Sequence, residues 1–319
     1  MALLDVSNLK TYYVMESGAV VKALDGISFK LEKGQSLGMA GESGCGKSTA
    51  ALSLMRLIKG VKITAGTVRL NDLSLLELNE KQMNRVRWER ISLVSQAAMN
   101  ALNPVFRVGD QICETIRAHR KLKKKEAWKM AEHLLEQVDI DPRRARSFPH
   151  ELSGGMRQRA VIAMALALDP EVMIADEPTT ALDAVTQAQI LKLFRRLQQE
   201  RDISMLFISH DLSILGQACD RIMIMYAGSI VEMGDTAQIF SRPQHPYTCA
   251  LLKCFPDIKE KKKTLTGLAG SPPDLIDLPT GCCFHPRCPQ AETLCREIKP
   301  DLREIQPGQF LACHMELMS

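Results

Sequence analysis

The stretch GESGCGKS at 41–48 constrains this chain more than any other. It meets G-x-x-x-x-G-K-[ST] at every fixed position, and the apolar run SLGMAG at 36–41 leads into it. Glycines let backbone N–H groups turn inward around an anion, Lys47 can reach the β and γ phosphates of a nucleotide, and Ser48 offers a hydroxyl to magnesium. KSTAALSLMRLI follows with apolar residues at helical spacing, so the positive end of a helix adds to the same anion site. Strand, glycine-rich turn and helix in this order predict an α/β domain that binds a nucleotide. The expected binding residues are Gly41, Ser43, Gly44, Cys45, Gly46, Lys47, Ser48 and Thr49, with Cys45 at a variable position of the pattern.

A nucleotide site needs a second half, a strand that ends in an acid. VMIADE at 172–177 supplies it. Asp176 closes an apolar strand where it can hold magnesium, and Glu177, one residue further on, is placed to take a proton from an attacking water. The rest of the chain supports the same class. Apolar runs and alternation over 3–9 and 20–31 predict strands of a half-buried sheet, and 97–168 reads as a mostly helical insertion. A strand at 172–176, a helix from 184, and strands SMLFISH, IMIMY and SIVEMG then follow with short connections. From about 236 the composition turns to proline, basic residues and cysteine, which predicts a boundary there and irregular backbone beyond it.

Bulk properties exclude several classes. A net charge of +4 over 319 residues is too small to argue for nucleic acid, and the basic clusters Lys121–Lys125 and Lys259–Lys263 read as solvated surface. No apolar run reaches the ~18 residues of a membrane span; AVIAMALAL at 160–168 is about half that. The start, MALLDVSNLK, lacks the basic leader and apolar stretch of a secretory signal, so a cytosolic chain with reduced thiols is expected.

LSGGMRQR at 152–159, in order with the phosphate loop and the acid pair, resembles the signature of the ATP-binding-cassette (ABC) ATPases. The resemblance implies a phosphate-loop core sheet, an antiparallel β subdomain and a helical subdomain over 1–235, with 236–319 a cysteine-rich extension. It also implies roles residue by residue. Gln96 resembles the glutamine that senses magnesium and the γ phosphate, His210 in ISHD the switch histidine, and Asp183 in TALD the acid of the loop that crosses a dimer interface. Ser153, Gly154 and Gly155 would complete the nucleotide pocket of the opposite subunit. An aromatic residue ahead of the phosphate loop stacks on adenine in this family, and of the pair in TYY, Tyr13 is expected to do so rather than Tyr12. Magnesium would be held by Ser48, Gln96 and Asp176. Glu177, His210 and Gln96 would carry catalysis.

One cassette and no heptads argue against the soluble machines of translation or DNA repair, which remain the alternative class. HPYT at 245–248, LNPVF at 102–106 and the terminal ACH resemble the oligopeptide, dipeptide and nickel importers. That resemblance implies two membrane permeases, an external substrate-binding protein, a second and often nonidentical ATPase, and a peripheral position on the cytoplasmic face of the membrane. It leaves the solute open. Five of the ten cysteines lie in the tail, where Cys282, Cys288, Cys295 and Cys313 are separated by five, six and seventeen residues. A segment so poor in apolar residues is expected to need a metal in place of a core. Four cysteines suit a four-iron four-sulfur cluster or zinc; the absence of C-x-x-C pairs and the resemblance favour the cluster. Cys283 competes with Cys282 as ligand, His285 and His314 are candidates only for zinc, and Cys113, Cys219, Cys249 and Cys254 read as packing residues.

Overall fold

Alternation at the start of the chain produces two long antiparallel strands, β1 (Leu4–Val14) and β2 (Val20–Leu31). They belong to the first of two compact units that interleave along the chain: 1–31, 36–76 and 209–319 in the first, 32–35 and 77–208 in the second. The computed structural model describes residues 2–58, 61–95, 101–254, 268 and 270–315. β1 turns the same face inward through Leu4 and Val6, then shifts phase at Asn8 (φ 48) so that Leu9 and Thr11 become the buried residues. This is a β-bulge, which carries the strand past the expected end at 9 and places Tyr12 and Tyr13 within it.

β3 (Ser36–Ala40) is buried at all five positions and leads through the glycine-rich turn into α1 (Lys47–Leu54). The apolar spacing predicts a helix running to Ile58, but the chain stops it earlier. Arg56 adopts a left-handed conformation (φ 50), its N–H donates to Ser53 O, and the N–H of Leu57 donates to Leu52 O. These two bonds are a Schellman closure, which satisfies the last carbonyls of the helix. β4 (Val61–Leu70) and β5 (Leu73–Ser74) then complete a sheet of order β2-β1-β4-β5.

In the second unit, α2 (Glu80–Val86) and β6 (Ile91–Val94) precede α3 (Val108–His119) and α4 (Lys124–Gln137). α4 buries Ala127, Ala131, Leu134 and Leu135, one stripe at helical spacing. Two short 3₁₀ turns lead to α5 (Gly154–Ala165), then β7 (Val172–Asp176), α6 (Ala184–Arg201) and β8 (Ser204–Ile208). β6, β7 and β8 are parallel, and β7 and β8 are buried throughout. Strands buried on both faces need continuous apolar sequence, as VMIAD and SMLFI have.

The chain returns to the first unit with α7 (Leu212–Ala218), β9 (Arg221–Tyr226) and β10 (Ser229–Asp235). β9 lies parallel to β3 and antiparallel to β10. The expected boundary at 236 falls inside this unit, and the backbone beyond it is more regular than its composition predicts. α8 (Thr236–Ser241), α9 (Pro246–Lys253), α10 (Thr293–Glu297), β11 (Arg303–Gln306) and β12 (Gln309–Leu311) follow, and β12 pairs with β10. Proline opens α9 at its first position, where no N–H is needed, and the turn Pro307–Gly308 joins β11 to β12. Among the described residues no helix is long and apolar enough to cross a membrane.

Candidate functional site

Within the first unit the loop between β3 and α1 is shaped by its glycines. Gly46 (φ 105) would bring a Cβ to 2.2 Å from Ala23 O, and Gly41 (φ 153) to 2.3 Å from Met225 O, so neither position accepts a side chain. Lys47 is buried and folds back over the loop, its Nζ donating to Gly41 O (2.8 Å) and Glu42 O (2.9 Å). Cys45 is buried below, 3.7 Å from that ammonium, and burial raises its thiol while Lys47 pulls the other way. Ser43 and Gly44 are exposed at the tip; Ser48 and Thr49 are half-buried in the first turn of α1.

The two tyrosines of β1 have different partners. Tyr13 Oη lies 3.2 Å from Thr49 Oγ1, beside the start of α1. Tyr12 instead donates to Asp25 Oδ1 (2.8 Å), and burial together with that carboxylate pushes its phenol up to about 12. Asp25 is pushed up by burial, but bonds from Lys299 and Tyr12 outweigh this and hold it at about 2. His210 follows β8 and is exposed; the next residue, Asp211, caps α7 through Ser213 N (2.8 Å).

In the second unit, Asp176 ends β7 with its side chain buried. Glu177 beside it takes a left-handed conformation (φ 48), its N–H donates to Ile208 O (2.9 Å), and Thr180 Oγ1 donates to its Oε2 (2.9 Å). A non-glycine residue in that region is strained, and such strain collects at functional sites. Ser153 caps α5 through Met156 N (3.3 Å), and Asp183 caps α6 through Thr186 N (2.9 Å) and Oγ1 (2.6 Å). These bonds lower the Asp183 carboxyl. A Cβ on Gly155 would stand 2.7 Å from the Thr186 methyl, so the starts of α5 and α6 touch there. The structure thereby brings Ser153, Gly154 and Gly155 beside the helix that Asp183 opens. Gln96 lies outside the described residues.

The tail has packing of its own, contrary to the expectation that a metal must replace its core. Phe284 is 1% exposed and meets the rings of Tyr226, Tyr247 and His245 at 5.2, 5.4 and 5.6 Å. The N–H of Cys282 donates to Cys295 O (2.8 Å). Burial pushes the Cys282 thiol up to about 11, and the nearby Cys313, Cys283 and Cys295 add to it. Burial likewise raises Cys288 and Cys313, each within charge reach of Cys295. The charged neighbours of Cys283 are Lys299, Asp25 and Lys22 instead. His285 Nδ1 and His314 Nε2 are engaged with the carbonyls of Cys282 (3.0 Å) and Ile298 (2.8 Å). Among the described residues no three His, Cys, Asp or Glu side chains are grouped as a metal-ion site. The expected centre is therefore present as a donor set and not as a formed site.

Three residues that sequence reasoning passed over hold this region. Arg287 pairs with Glu42 of the phosphate loop, and Tyr247 Oη accepts from Glu42 N (3.0 Å). Glu232 is fully buried in β10 and accepts from Gln244 N (2.8 Å) and His245 N (2.9 Å). Glu232 carried a signal, since an acid interrupting the apolar run SIVEMG needs buried partners. For Arg287 no such signal exists in the sequence.

A model of the ABC transporter family matches residues 24–180, and one of the oligopeptide/dipeptide transporter C-terminal region matches 231–295. The dimeric post-hydrolysis structure of the ATP-binding cassette MJ0796, bound to ADP and Pi, is similar at a TM-score of 0.66 and 26% identity over 73% of this chain and 98% of that one. The fold and these matches define an ABC-type ATPase. The oligopeptide transport ATP-binding protein OppD of Escherichia coli is 41% identical over 314 residues, 98% of this chain and 93% of the relative. The dipeptide transport ATP-binding protein DppD of Bacillus subtilis is 44% identical over 302 residues, 93% and 90% of the two. A probable peptide ABC transporter ATP-binding protein of Sinorhizobium fredii is 46% identical over 98% of this chain and 94% of the relative. The chain belongs to this family, the ATP-binding subunits of peptide-type ABC transporters, and hydrolyses ATP. None of these relatives is named for nickel.

Proposed function

We propose that this subunit powers the import of di- or oligopeptides. The observation that carries the reading is the occurrence, in one chain, of a complete phosphate loop and an oligopeptide-type C-terminal region packed against it through Arg287 and Tyr247. Residues 1–235 are the cassette and 236–319 the extension. Two permeases would hold the subunit on the cytoplasmic side of the membrane, with a second ATPase as dimer partner and an external binding protein delivering the peptide.

In this reading Tyr13 stacks on adenine, and its contact with Thr49 favours it over Tyr12, whose hydroxyl Asp25 already holds. The N–H groups of the loop and Lys47 bind the β and γ phosphates. Ser48, Asp176 and Gln96 would hold magnesium, which supplies charge neutralisation at the phosphates; the buried Asp176 carboxylate suits a cation. Glu177 takes a proton from water as the oxygen attacks the γ phosphorus and ADP leaves, and His210 orients the γ phosphate. Ser153, Gly154, Gly155 and Asp183 act on the nucleotide of the partner subunit. ATP therefore closes the dimer, and hydrolysis releases it.

Replacing Glu177 with Gln should lower turnover at least a hundredfold, about the loss expected for a general base, while ATP stays bound. Single-turnover hydrolysis beside equilibrium ATP binding measures both. Turnover at the wild-type rate would remove Glu177 from its role.

Cys282, Cys288, Cys295 and Cys313 would hold a four-iron four-sulfur cluster, whose positive irons keep four mutually repelling sulfurs deprotonated and together. Cys282 is preferred over Cys283 because the latter keeps company with Lys299 and Asp25. Anaerobically purified protein should contain about four irons and four sulfides per chain. Stoichiometric zinc, or neither metal, would refute the cluster.

A further inference from the structure

Glu42 occupies a position of the phosphate loop where the motif accepts any residue, yet each of its polar groups is held. Its carbonyl accepts from Lys47 Nζ (2.9 Å) and Cys45 N (3.3 Å), both within the loop. Its N–H donates to Tyr247 Oη (3.0 Å), and its two carboxylate oxygens accept from Arg287 Nη1 (2.7 Å) and Nη2 (3.0 Å). These last two partners come from beyond residue 236. The Arg287 side chain is only 6% exposed; it lies over the Tyr226 ring at 5.8 Å and donates to that hydroxyl at 3.3 Å. Phe284, three residues earlier, is locked among aromatic rings, and Cys288 comes next. The guanidinium thus stands on a rigid base.

We propose that Arg287 is a positioning residue for ATP binding, holding Glu42 and through it the backbone of the phosphate loop. A planar, bidentate and largely desolvated pair fixes direction as well as distance, and its loss strands a carboxylate beside a site built for anions. The arginine also makes the loop answer to the tail: whatever orders the segment from Phe284 to Cys288 sets the position of Arg287. The inference rests on 41–48 being the phosphate site, and the experiment separates the two.

A fluorescent ATP analogue is titrated into the full chain carrying R287A, R287K, E42Q, E42Q with R287A, or K47A. R287A should weaken binding about tenfold and R287K about threefold, as expected when one partner of a partly buried bidentate pair is lost or altered. In the E42Q background R287A should cost less than about twofold, because the partner it acts through has already been neutralised. In steady-state hydrolysis the same loss should appear in KM for ATP, with kcat held. A purely structural role would lower kcat or the folded fraction and leave Kd unchanged. Wild-type affinity in R287A, or an equal loss in both backgrounds, overturns the proposal. If R287A does not fold, R287K carries the same comparison, and wild-type affinity for it in both backgrounds overturns the proposal equally. Unchanged affinity in K47A would overturn the phosphate-site reading itself.

Discussion

The phosphate loop and the cysteine tail lie in the same unit, but they are made of different material. The loop is a backbone construction: glycines at 41 and 46 fill places a Cβ cannot enter, and Lys47 closes over the carbonyls. The tail is a side-chain construction, in which Phe284, Arg287 and Tyr247 reach partners far away in sequence, while Glu232 of β10 holds the N–H groups of Gln244 and His245 at its start. The contrast separates two kinds of dependence. A backbone site survives the loss of a side chain as structure and fails as chemistry, whereas a side-chain site loses structure first.

The sharpest way to break that contrast is Lys47→Ala. It should cost two to three powers of ten in ATP affinity, the scale of removing a charged donor from a preorganised anion site, with the melting temperature held. A melting temperature that fell with the affinity would make the loop a structural element as well. Glu232→Ala should do the reverse, destabilising the chain by about 2–3 kcal/mol because the buried N–H of His245 and the half-buried N–H of Gln244 lose their acceptor, while ATP binding by the folded fraction holds. Denaturant unfolding beside nucleotide titration decides between them.

The smallest effect expected is one of pH. Burial pushes the His245 imidazole down to about 3, and its Nδ1 must stay unprotonated to accept from Tyr247 N (3.0 Å). The unfolded chain binds that proton first. Stability from this group is therefore complete above the ordinary histidine value and lost as pH falls below it, by about 2 kcal/mol at pH 5. His245→Asn keeps an acceptor for the helix start and should flatten the dependence between pH 7 and 5. An unchanged slope would place the acid sensitivity outside the tail.

The same contrast explains what could be read in advance. The loop between β3 and α1 was legible because so tight a turn demands glycines at fixed intervals, and intervals are what a sequence displays. β7 and β8 were legible as unbroken apolar runs. Tyr12 and Tyr13 read alike in sequence, and their different partners, Asp25 and Thr49, come only from tertiary contacts. The end of α1 was misread because a left-handed arginine, rather than a glycine, closes it. Arg287 was invisible. Nothing about an arginine between two prolines announces a partner 245 residues upstream, and the tail's core was missed because its main wall, Tyr226, belongs to a strand of the cassette.

The pairing of β12 with β10 has a consequence for any shortened form of this chain. Glu232 and Met233 stand opposite Leu311 and Phe310, and Ala312 N donates to Val231 O. A chain cut before Gln309 keeps the whole phosphate loop but leaves a row of unclaimed donors and acceptors along an apolar strand, a template for pairing with other copies. Its first fault would be stickiness, not inactivity: β12 serves as a lid on a seam that would otherwise recruit its neighbours.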